Sequence, residues 1–136
     1  MAVTEGLSIL CVIITHMATK DTHLAQYRAF KQTADLPGAS PQGRVEMLFL
    51  AAYHLIDACA ARKNVHIDKH QRVRHELEAN PVIFGERTGD IWSAFQEIET
   101  RLRPKFVYGS SWRKKDLEAV LEKFSFIETV CLEVLG

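Results

Sequence analysis

The chain of 136 residues has few cysteines, no net charge and no long hydrophobic run, and each shortage excludes something. Its three cysteines, Cys11, Cys59 and Cys131, are odd in number and widely spaced, which argues against a disulfide framework and against a cysteine-built zinc motif. Cys59 and Cys131 fall within apolar helical patterns, where a free thiol packs as a small core residue in a reducing, cytoplasmic setting. With a formal net charge of zero the molecule as a whole does not attract nucleic acid or membrane, so any basic surface must be local. The apolar stretch from Leu7 to Ile14 is far below the about 20 residues that span a bilayer. Glu5 stands before it in place of the basic region of a signal peptide. No membrane partner is expected. Also missing are Gly-x-Ser-x-Gly, a phosphate loop and Gly-x-Gly-x-x-Gly, which leaves nucleophilic catalysis with little support.

What is present is helical periodicity. Residues 1–22 are set apart as an N-terminal segment: a strand, a short helix, a disordered stretch, or a consequence of a start site upstream of "MATKDTHL". Residues 23–136 form one domain. A short helix is expected from His23 to about residue 34, followed by the loop "DLPGASPQG". Ser40 and Pro41 then start a helix running to about residue 62, with Ser40 as cap and Pro41 at the first position. Its stripe of Val45, Leu48, Ala52, Leu55 and Cys59, widened by Phe49 and Ile56, marks a core helix. Asp68, with Gln71 three residues on, predicts a capped third helix carrying Val73 and Leu77. A fourth helix starts at Thr88 or Asp90, presents Ile91, Phe95, Ile98 and Leu102, and is expected to stop where Pro104 disfavours helical geometry at Arg103. A last helix runs from about 113 to 135. The pattern predicts an all-α, antiparallel up-and-down bundle of four to five helices.

Basic residues concentrate in two segments. Arg62, Lys63, Lys69, Arg72 and Arg74 lie in one; Arg101, Arg103, Lys105, Arg113, Lys114 and Lys115 lie in the other, with no acidic residue between Arg101 and Lys115. Either the two meet to form a phosphate-binding patch, or each is a solvated helix end. Arg113, Lys114 and Lys115 sit at a helix start, where the dipole disfavours cations; this local cost speaks for an anionic partner, although from the charges alone solvated helix ends remain the favoured reading. His66 and His70 have the i, i+4 spacing of a metal pair. Asp68 between them reads as a cap, however, and no third ligand has zinc-motif spacing, so no metal or other cofactor is expected. His54 and Asp57, three apart on the core helix, read either as an acid–base pair in a polar cleft or as an ordinary buried polar contact.

Two stretches together resemble the HEPN-domain family. "FLAAYHLIDACAARKNVHIDKHQRV" is similar to its central helix, turn and His-bearing third helix. "LRPKFVYGSSWRKKDLEAVLEKFSFIE" is similar to the later part of small HEPN-like proteins, where an Arg-x-x-x-x-Tyr-Gly turn precedes the final helix. The resemblance covers roughly residues 23–135. It implies an all-α homodimer, in a prokaryotic group that includes toxin-type RNases, nucleotidyltransferase partners and RNA-binding members without catalysis. Catalytic members carry an Arg followed after roughly four to six residues by a His, for phosphate stabilisation and proton transfer. None of the six histidines here follows any of the nine arginines at that spacing. Tyr108 stands where the His after Arg103 belongs, and an unperturbed phenol with a pKa of about 10 is a poor base at neutral pH. The resemblance therefore implies non-catalytic binding of RNA or nucleotide through Arg101, Arg103, Lys105, Tyr108 and Arg113, joined by Arg72 and Arg74. The alternatives are a divergent metal-independent RNase toxin, using Arg103 with Tyr108 or a histidine among His54, His66 and His70, and a protein-interaction module of a toxin–antitoxin or nucleotidyltransferase pair.

Overall fold

The computed structural model describes residues 19–109 and 111–136. Cys11, the Leu7 to Ile14 run and most of the 1–22 segment lie outside the described residues. Helix α1 (Lys20–Ala34) begins before the expected His23, because Thr19 caps it: its hydroxyl accepts from the Thr22 N–H at 3.1 Å. Helix α2 (Pro41–Ala61) starts as its sequence predicts, with the Ser40 hydroxyl accepting from the Gly43 N–H at 3.0 Å and Pro41 in the first turn. It ends where Asn64 takes a left-handed φ of 60° and the Val65 N–H reaches back to the Ala60 carbonyl at 3.0 Å.

A tight turn at His70–Arg72 leads into α3 (Val73–Ala79). The capping box expected on Asp68 does not form. The residue at the cap position of the turn is Lys69, without a side-chain cap, while Asp68 is exposed and reaches only the guanidinium of Arg72 at 4.0 Å. A second tight turn, Gly85–Arg87, opens α4 (Thr88–Gln96).

The expected stop at Arg103 does not occur either. From α4 the chain passes through a π-helical segment, Glu97–Leu102, straight into α5 (Arg103–Val107), and Arg103 itself is helical at φ −52°, ψ −44°. Pro104 has no N–H to donate and its ring would crowd the carbonyl one turn back. A wider turn just before the proline spares the helix that conflict. Such π turns often accompany functional sites. Helix α6 (Lys114–Leu135) closes the chain.

The result is an all-α bundle, as the periodicity predicts. Helix α2 runs through its middle, packed by α1, α5 and α6, while α4 packs on α3 and α6. Phe49, Phe95, Leu48, Leu55, Ile56, Ile98, Leu102 and Ile127 are fully buried where these helices meet. Burying each such side chain favours folding by about 1.5–3 kcal/mol. Cys59 and Cys131 are free and buried, with the Cys59 thiol donating to the Cys131 carbonyl at 3.6 Å. Among the described residues no helix is long and apolar enough to cross a membrane.

Candidate functional site

The π segment delivers Arg103 onto the side of α2. Its guanidinium forms a two-pronged pair with Glu46, at 2.8 Å from Nε and 3.0 Å from Nη2, and lies 4.5 Å from the centroid of Phe49. Glu46 and Phe49 are three apart on α2 and so share a face. The pairing with Glu46 holds the Arg103 pKa above even its usual high value. On another edge of Phe49 sits His70, with ring centroids 5.1 Å apart and planes nearly perpendicular. The Nδ1 of His70 is hydrogen-bonded to Glu99 from the π segment. Phe49 also stacks on Phe95 at 5.3 Å. The two basic segments thus converge in part: the His70 turn and Arg103 share one aromatic ring and are both oriented by carboxylates.

The arginines flanking this centre are engaged on their own helices. Arg72 pairs with Glu76 at 3.0 Å, Arg74 with Glu78, and Arg101 with Glu97. Arg74 also lies over the Trp92 ring at 3.9 Å. Hydrogen bonding from Arg101 and Lys123 keeps the Glu97 carboxyl below the usual range. These exposed i, i+4 pairs cancel much of the positive field expected of Arg72, Arg74 and Arg101.

The turn after α5 differs. Tyr108 is 77% exposed, Phe106 and Trp112 stack at 5.0 Å on either side of it in sequence, and Asp116 ties down the start of α6. One Asp116 oxygen accepts from the Arg113 N–H at 2.8 Å and the other from Lys105 at 3.1 Å. These bonds hold the Asp116 carboxyl below the usual range. Arg113, Lys114 and Lys115 are exposed, and none of the three joins an ion pair among the described residues.

His54 and Asp57 do not face this surface. They lie nearer the C-terminal end of α2, where His23 of α1 joins them. His23 Nδ1 and His54 Nδ1 are 3.1 Å apart, and His23 Nε2 is 3.6 Å from Asp57 Oδ2. The other Asp57 oxygen accepts from the Ile67 N–H at 3.2 Å, and Tyr53 donates its hydroxyl to the Ile67 carbonyl at 2.9 Å. Burial pushes the Asp57 carboxyl up to about 7 and, with the neighbouring histidines, pushes His23 down to about 4. Burial likewise lowers His54. His23 Nε2 is buried without a hydrogen-bond partner among the described residues. An unpaired buried polar atom costs about 1–3 kcal/mol. His66 is exposed on the loop before His70, near enough to His23 to disfavour its charged form.

Sequence spacing therefore separates what folding joins. His70 and Arg103 meet through Phe49, with Glu46 and Glu99 as orienting partners that the pattern of basic residues does not reveal. The i, i+3 placement of Glu46 and Phe49 is the one local signal that could have pointed to them. His23 carries no local signal, because its partners lie one helix away. No family model, curated protein or solved structure matches the chain.

Proposed function

We propose that the protein is a HEPN-like helical bundle that binds RNA or a nucleotide at the turn joining α5 to α6, without cleaving it. The observation that carries this reading is the pairing of an exposed aromatic, Tyr108, with three consecutive exposed cations, Arg113, Lys114 and Lys115, at the N-terminus of a long helix. A base can stack on Tyr108 while the cations and the amide dipoles of α6 neutralise its phosphates. Lys105 is partly exposed beside Asp116 and borders the same turn. Arg103 is the structural anchor of this surface, held by Glu46 and Phe49 and only partly open to a ligand. The contributions of Arg72, Arg74 and Arg101 are smaller, since each would have to leave a glutamate to meet a phosphate. The test is binding of a short single-stranded RNA as a function of salt, with charge removal at residues 113–115.

A second reading is favoured by one arrangement, the carboxylate-oriented His70 next to Arg103. Glu99 fixes the tautomer of His70 and leaves Nε2 available as a base, while Arg103 supplies positive charge for phosphate. On this reading the protein is a metal-independent RNase whose Arg and His are paired in space rather than in sequence. Cleavage of labelled RNA in EDTA, lost in His70→Ala, selects this reading; intact RNA selects binding alone. The HEPN resemblance adds a homodimer, and also a nucleotidyltransferase-type partner. Sedimentation of the purified chain, alone and mixed with such a partner, tests both.

A further inference from the structure

We infer that His23, His54 and Asp57 form a binding site for a divalent transition metal of the zinc class, which clips α1 to α2. Three observations carry this inference. First, the chemistry is right: two imidazoles and a carboxylate are the donor set that zinc takes at sites with three protein ligands. Second, the geometry is already gathered. Donor atoms, one from each residue, lie within 4.8 Å of one another. His23 Nε2 and Asp57 Oδ2 are 3.6 Å apart, close to the about 3.3 Å between two donor atoms bound tetrahedrally to one zinc. Third, the cluster is incompletely satisfied by protein alone. His23 is buried, and its Nε2 has no hydrogen-bond partner among the described residues.

The surroundings suit a metal ligand set. The Ile67 N–H fixes one Asp57 oxygen and leaves the other facing His23. Tyr53 holds the Ile67 carbonyl, so the loop that orients Asp57 is itself held. His54 is packed between Phe30 and Tyr53, which limits its ring motion, and is only half-buried, which gives an ion a way in. Three protein ligands leave one coordination position for water.

The role follows from α1. Of its fifteen residues only His23 and Ala34 are buried, while Leu24, Tyr27 and Phe30 pack against the core and stay partly exposed. A metal shared between His23 on α1 and His54 and Asp57 on α2 would fasten it. The inference is independent of the RNA reading, because among the described residues His23, His54 and Asp57 make no hydrogen bond or ion pair with Tyr108 or Arg113.

The test uses the full chain, stripped with chelator and titrated with Co²⁺ and then Zn²⁺. A single equivalent of Co²⁺ is expected to give the visible spectrum of a low-symmetry four-coordinate site, bleached by Zn²⁺, with a rise in melting temperature on Zn²⁺ binding. Asp57→Asn keeps the shape and an acceptor for the Ile67 N–H, and His54→Gln keeps a polar side chain. Each is expected to weaken binding by about tenfold or more, while His75→Ala, at an exposed position on α3, binds as the parent does. Circular dichroism of the metal-free variants separates lost binding from lost fold. Absence of stoichiometric binding would overturn the inference. So would binding that survives both site substitutions in folded protein.

Discussion

Arg103 lays its guanidinium on the face of Phe49, 4.5 Å from the ring centroid, in the turn where a proline was expected to end the helix. Glu46 grips the same guanidinium in a two-pronged pair, so charge, flatness and fork geometry are all used at once. A lysine offers neither the fork nor the flat face. Arg103→Lys is therefore expected to destabilise the fold by about 1–2 kcal/mol, and Glu46→Gln by a similar amount. By contrast, Arg101→Ala, which removes an exposed pair within one helix, should cost no more than about 0.5 kcal/mol. Urea denaturation of the three variants checks the ranking; equal effects at Arg101 and Arg103 would contradict it.

Asp116 gives a pH-dependent outcome. The Arg113 N–H and Lys105 both stabilise its ionised form, so its folded pKa lies below the value in the unfolded chain. A depressed carboxyl contributes stability that is complete above the unfolded value and is lost as pH falls through the folded one. Wild type should thus be more stable than Asp116→Asn at neutral pH, and the gap should close below about pH 4. Thermal melts of both proteins from pH 7 to pH 3 measure it. A gap that stays constant through the acid range would assign the loss to packing instead.

Tyr53 lies between the His54–Asp57 cluster and His70, since its hydroxyl donates to the Ile67 carbonyl beside Asp57 and its ring lies against both His54 and His70. Burial raises its pKa well above the usual phenol value, so it remains a donor throughout the neutral range. Tyr53→Phe keeps the ring and removes the donor. It is expected to cost about 1 kcal/mol of stability in chemical denaturation, and no measurable loss would show that water replaces the bond.

Much of the fold was legible locally. The stripe of Val45, Leu48, Ala52, Leu55 and Cys59 identifies α2 as the central helix, and Ser40-Pro41 marks its start, because capping and periodicity are short-range properties. Two local rules failed. Asp68 had the spacing of a cap, yet the chain enters α3 through the His70–Arg72 turn, which places His70 against Phe49 and Glu99. Pro104 had the signature of a stop, yet the π segment absorbs it and carries Arg103 to Glu46. In both cases tertiary contacts outweigh the local preference. The candidate site was legible in its positive charges but not in its counter-charges: Glu46 lies far from Arg103 in sequence, and His23 far from His54 and Asp57. Such pairs exist only once the helices pack.

If Tyr108 and the cations at the start of α6 bind phosphate-bearing ligands, RNA affinity depends on both and falls with salt. Fluorescence anisotropy with a short labelled single-stranded RNA should give affinity that falls log-linearly with salt, each phosphate contact contributing a slope of about −0.7. Replacing Arg113, Lys114 and Lys115 together by alanine should reduce the magnitude of that slope by about 2, and Tyr108→Ala should weaken binding by about 1–3 kcal/mol at any salt. Absence of binding at low salt, or an affinity and slope unchanged by the triple substitution, would contradict the account.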